Sequence, residues 1–110
     1  MSIKEERAVE AIKGLAATFI GMESNKTSLI TVTHVEMRNR GKDAVVYFSV
    51  LPENSEHAVS DFLSRKKTEM RNFLKGKIKM RVLPHFSFEI DTGEKNRQKI
   101  ERIIYEDKNR

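Results

Sequence analysis

Hydrophobic and polar positions along this chain change period several times, and each change marks an element. Ala8, Ile12, Leu15, Ala16, Phe19 and Ile20 recur at spacings of three and four. That is one face of a helix over residues 3–20, which Gly21 is suited to end. Glu23 to Thr27 is a polar connector. Leu29 to Met37 (LITVTHVEM) is rich in β-branched residues and predicts a strand. Arg38 to Lys42 forms the turn, with Asn39 and Gly41 suited to positive φ. Ala44 to Leu51 (AVVYFSVL) is a second strand, apolar enough to be central in a sheet. The short connection predicts an antiparallel hairpin.

Pro52 closes that strand. Asn54 or Ser55 can cap a new helix, with Glu53 and Glu56 near its positive end. Its stripe is Val59, Phe62 and Leu63, then Met70, Phe73 and Leu74, reaching Lys75. Continuity asks for an apolar residue at position 66 or 67, where the chain has Lys66-Lys67. An irregularity over Lys66 to Thr68 would keep both lysines in water, so a break is expected there. Gly76 ends the helix. From Lys77 to Ile90 the pattern alternates, predicting a half-buried strand. Lys77, Lys79 and Arg81 face out, and Ile78, Met80 and Val82 face in. Pro84 demands a bulge or an edge position, after which Phe86, Phe88 and Ile90 continue the apolar side. Gly93 breaks the strand, and residues 94–105 predict a short final helix with Ile100, Ile103 and Ile104 in contact. The tail, 106–110, is expected to fray. The order is α-β-β-α-β plus a short C-terminal helix. This is an α+β chain, read as a single domain over 1–110, with helices on one face of a three-stranded sheet.

Charge sharpens this picture. Between Arg65 and Arg81 lie eight basic residues, Arg65, Lys66, Lys67, Arg71, Lys75, Lys77, Lys79 and Arg81, against one acid, Glu69. That stretch is +7 in a chain of net charge +5, so the remainder is slightly acidic. One-signed concentration on neighbouring elements suits a polyanion such as RNA. Lysine and arginine there would grip phosphates and fix position without reading sequence. Arg38, Arg40 and Lys42 form a smaller basic group in the hairpin turn, a secondary candidate for RNA contact if it lies beside the first. The six Phe sit mostly at core-periodic positions, and no exposed stacking platform is evident.

Other chemistries find little support. The chain has no cysteine, which removes disulfides, thiolate zinc sites and thiol catalysis. His34, His57 and His85 are scattered without metal-ligand spacing, so no metal or other cofactor is expected. There is no P-loop, G-x-G-x-x-G or G-x-S-x-G. No apolar run approaches the ~20 residues of a membrane span, and MSIKEERAVE lacks the apolar core of a secretory signal. A cytoplasmic, non-enzymatic protein is expected, with the Asn25-Lys26-Thr27 sequon a chance match.

The residues also carry a resemblance. Thr31-Val32-Thr33-His34-Val35-Glu36 is similar to the first strand of the ribosome-binding factor A family. Ala44, Val46, Tyr47, Ser49 and Val50 fit its A-x-V-Y-x-S-V second strand. Arg71 and Met80-Arg81 fall where that family has its basic helix and third strand. Pro84 to Asp91 resembles its P-x-L-x-F-x-x-D signature, and Ile100, Ile103 and Ile104 its closing I-x-x-L-L. The similarity spans residues 6 to 104. It implies a type II KH-like fold and a factor for assembly of the small ribosomal subunit. Such a factor contacts ribosomal RNA, supports late maturation, matters most in the cold and leaves with help from assembly GTPases. Two departures stand out. The family's Ala-x-Gly at the helix kink is replaced by Lys66-Lys67-Thr68, and its Asp-Leu after the first strand by Arg40-Gly41. The G-x-x-G loop of ordinary KH domains is absent. The leading expectation is a monomeric RNA-binding assembly factor acting on the small subunit and its rRNA. The alternative is a protein-interaction module docking an acidic partner.

Overall fold

The computed structural model describes residues 3–93, in the order α1 (Ile3–Glu23), β1 (Leu29–Arg38), β2 (Asp43–Leu51), α2 (Glu56–Arg65), α3 (Lys67–Leu74) and β3 (His85–Ile90). A 3-10 turn, Glu53–Ser55, leads into α2. The expected closing helix and tail lie outside the described residues.

The sheet order is β1-β2-β3. β1 and β2 pair antiparallel from Leu29↔Leu51 to Arg38↔Asp43, with a bulge between Val32 and His34. β2 and β3 pair parallel, beginning at Asp43↔His85. Helix α1 packs on β1 and α3, and α2 on β2 and β3. The core forms between that helical layer and one sheet face. Ile12, Ala16, Phe19 and Ile20 from α1 meet Val32 and Val35 from β1. Ala44, Val46, Phe48 and Val50 from β2 meet Val59, Leu63, Met70 and Leu74 from the other helices. The near-continuous apolar run of β2 follows from its central place, since even Val45 on the outer face is 3 % exposed.

Three local expectations are corrected. Helix α1 does not stop at Gly21. It runs to Glu23 and is terminated by Lys26, which takes a left-handed conformation (φ 65°) while its ammonium bonds the Gly21 carbonyl at 2.6 Å. Neither Asn54 nor Ser55 caps α2 through its side chain, because the 3-10 turn supplies the entry. In the hairpin turn Asn39 and Gly41 take positive φ as expected, and Arg40 joins them.

The largest correction concerns Lys77 to Pro84, which are not strand. The parallel register explains why. Residues before His85 run past the start of β2, where the hairpin turn leaves no ladder to join. Ile78 and Met80 still pack against the core, but Val82 is 74 % exposed. Pro84 is a buried residue just before the strand rather than a bulge within it. Strand-like alternation alone cannot form a strand without a partner.

Candidate nucleic-acid interface

The helix pair breaks where the lysines fall. Lys66 leaves the helical region (φ −99°, ψ 4°). Its N–H donates to the Leu63 carbonyl at 3.0 Å, and its own carbonyl accepts the Met70 N–H at 2.9 Å. The break lets Leu63 and Met70 both stay buried across the interruption. It does not put both lysines in water. Lys67 is exposed, but Lys66 is half-buried. The Lys66 ammonium lies 3.1 Å from Glu69 and 3.5 Å from Glu23 of α1. Its hydrogen bond to Glu69, against some cost of desolvation, holds the ammonium above its ordinary pKa. Lys66 is thus a joint between α1 and the break, and only partly a free cation.

Arg71 has also been taken inward. Its guanidinium donates to the Pro84 carbonyl at 2.6 Å and the Leu83 carbonyl at 3.1 Å. These are backbone acceptors that a ladder would otherwise satisfy. This arginine fastens the segment 77–84 to α3. Lys77 leans over the Phe73 ring, 4.3 Å from its centre, a second tie between the segment and the helix. Arg65, Lys67, Lys75, Lys77, Lys79 and Arg81 are all exposed. The exposed cations of the cluster therefore sit on a helix break and an irregular segment, and not on a helix and a strand.

The turn group divides as well. Arg38 is matched to Glu36 (Nε to Oε1, 3.1 Å) and donates to the Tyr47 hydroxyl at 2.7 Å. The Arg38 hydrogen bond and charge hold Glu36 below the usual carboxylate range. Arg40 and Lys42 are exposed.

One feature was not read from the sequence. On the sheet face turned away from the helices, the His34 and Tyr47 rings stack, with centroids 4.2 Å apart and planes within 11°. His34 Nδ1 lies 3.2 Å from the Asp91 carboxylate, which also accepts the Thr33 hydroxyl at 2.5 Å. The register partners His34 and Tyr47 meet only because the bulge at Thr33 shifts β1 by one residue. Strand periodicity cannot reveal such a shift. His57 pairs with Asp61 on the surface of α2 at 3.4 Å. Among the described residues no group of three or more His, Asp or Glu side chains is placed to hold a metal ion, and no helix is long and apolar enough to cross a membrane.

Comparison with known proteins settles the lineage. The family model described as Ribosome-binding factor A matches residues 4–104. The chain belongs to the ribosome-binding factor A family. Its relatives of that name include one from Macrococcus caseolyticus, 29 % identical over 109 residues and covering 96 % of each chain. Another, from Lactobacillus helveticus, is 35 % identical over 83 residues, covering 74 % of this chain and 69 % of its own. The crystal structure of ribosome-binding factor A from Thermus thermophilus superposes with a TM-score of 0.69. It covers 77 % of this chain and 92 % of that one at 24 % identity, a likeness of fold. The α+β architecture expected from the residues, and implied as type II KH-like by the resemblance, is the fold found, and the helix break falls at Lys66, where an irregularity was expected.

Proposed function

We propose that this protein is a non-enzymatic RNA-binding factor for assembly of the small (30S) ribosomal subunit. It engages free small subunits and rRNA processing intermediates through the helix-break and segment surface. The observation that carries the reading is the family match over residues 4–104 combined with six exposed cations flanking one pinned segment. Arg65, Lys67, Lys75, Lys77, Lys79 and Arg81 contact phosphates. Arg71 and Lys66 hold the surface in shape, with Lys66 partly available. The factor acts as a monomer in the cytoplasm on the whole 1–110 domain, without a cofactor and without a membrane. Its action is differential binding: it favours an immature rRNA conformation and loses affinity as the mature one forms. Assembly GTPases complete its release.

The test is co-sedimentation of the tagged protein with lysate on sucrose gradients, with salt varied and RNase as control. The protein should travel with free small subunits and not with complete ribosomes. With ~5–8 phosphate contacts, log affinity should fall against log salt with a slope of about −4 to −7. A flat salt response removes the electrostatic mechanism, and absence from every ribosomal fraction at low salt removes the reading.

A further inference from the structure

The hairpin tip is built at a cost that its own fold does not require. The loop 39–42 joins the paired residues Arg38 and Asp43. Asn39, Arg40 and Gly41 are all left-handed, at φ 53°, 57° and 85°. Two overlapping turns result, with Gly41 N–H on the Arg38 carbonyl and Lys42 N–H on the Asn39 carbonyl, both at 3.2 Å. Asparagine tolerates this region and glycine prefers it. Arginine gains nothing there locally, since its Cβ crowds the backbone. A residue that strains the turn yet presents a long cation invites a reason outside the turn.

The surroundings supply one. Asn39, Arg40, Lys42, Asp43 and His85 line an open cleft of about 520 Å³. Three of the five carry basic nitrogens. The acid, Asp43, accepts the Asn39 side-chain amide, so its charge is engaged within the turn. The cleft is braced from behind. The His85 N–H donates to the Lys42 carbonyl at 2.9 Å, joining the turn to the first residue of β3. Just before His85, Leu83 and Pro84 are held by Arg71 of α3. The segment carrying Lys77, Lys79 and Arg81 therefore runs directly into the cleft wall, and no acid occurs between Glu69 and Glu89.

We propose that this cleft is a second phosphate site for RNA, in which Arg40, Lys42 and His85 hold one backbone phosphodiester of the strand lying along Lys75 to Arg81. The inference rests on the RNA-binding reading above and deepens it. A single basic face grips a polyanion without fixing its direction. A second, separated anchor sets where along the strand the protein sits and which way it points. The open shape of the cleft suits a phosphate in a chain rather than an enclosed small molecule. Arg38 takes no part, being held by Glu36 and Tyr47.

The test uses Arg40→Gly, the Lys42→Ala/His85→Ala pair, and Lys67→Ala/Lys75→Ala/Lys79→Ala/Arg81→Ala on the full chain. The probes are purified small subunits, single-stranded RNA of mixed sequence and polyglutamate. Arg40→Gly relieves the left-handed strain and should raise the melting temperature by about 2–5 °C while weakening RNA binding roughly fivefold. That opposition of sign is the signature, because a structural arginine would lose stability and leave binding alone. The Lys42/His85 pair should also weaken binding, and the salt slope should become shallower by about 1. If both cleft variants bind RNA like wild type while the helix–segment variant is weakened, the cleft proposal is overturned and the assembly-factor reading stands. Wild-type binding by all three overturns both. A loss confined to polyglutamate overturns the RNA assignment in favour of an acidic protein.

Discussion

The two sides of this molecule treat positive charge in opposite ways. On the outer sheet face Arg38 is locked to Glu36 and Tyr47. On the helix side, Arg65, Lys67, Lys75, Lys79 and Arg81 stand exposed on a stretch with a single acid, and that acid, Glu69, faces Lys66. A matched cation has already chosen its partner and gains little from a phosphate. An unmatched one carries a repulsion that a polyanion relieves. Composition counts these groups alike, and the structure separates them.

Charge reversal tests that separation most strongly. Lys67→Glu/Lys75→Glu/Lys79→Glu/Arg81→Glu should lower affinity for small subunits by about 100- to 1000-fold near 0.1 M salt. Its melting temperature should stay close to that of wild type. Arg38→Glu with Glu36→Arg, which swaps a matched pair, should leave affinity within about twofold. Filter binding and thermal melts on both variants are sufficient. Equal losses from the two would erase the distinction.

Arg71 marks the boundary between the two treatments: a basic residue of the cluster that works inward. Arg71→Ala removes the donor to two backbone carbonyls, those of Leu83 and Pro84. Charged donors to such groups contribute about 1.5–3 kcal/mol, so urea unfolding should show a loss of about 2 kcal/mol. The segment 77–84 should also exchange its amide hydrogens faster. If Arg71→Ala keeps wild-type stability and loses only affinity, Arg71 belongs with the exposed cations instead.

These cases show why some of the molecule was legible in its sequence and some was not. The α1 stripe, the hairpin and the β2 run are local patterns with local consequences, and each formed within a few residues of its expected place. The break at Lys66 was legible because a missing apolar residue in a stripe is a local conflict. The fate of Lys77 to Pro84 was not local. Its alternation fits a strand, but whether a ladder awaits it depends on the parallel register with β2, set some 40 residues earlier. The same holds for charges. Sequence located the cluster, while its internal uses rest on pairings such as Lys66 with Glu23 and Arg71 with Leu83. The His34–Tyr47 stack depends on a one-residue bulge that no periodicity signals.

The smallest expected effect comes from the matched side. Glu36 is exposed, and Arg38 keeps its carboxyl below the ordinary value of 4.5. A carboxylate whose folded pKa is depressed stabilises the fold above its unfolded pKa, and the contribution disappears as pH falls through the folded value. Glu36→Gln should therefore melt about 1–3 °C below wild type from pH 5 to 7, a gap suited to a solvent-exposed pair. The gap should close as the pH falls through and below the ordinary carboxylate range. High salt should narrow it at every pH. Affinity for small subunits should stay within about twofold, because neither Glu36 nor Arg38 belongs to the proposed phosphate-contacting set. A binding loss in Glu36→Gln would mean that the sheet face, with its stacked His34 and Tyr47, shares in recognition, and that matched charges on this molecule are not silent.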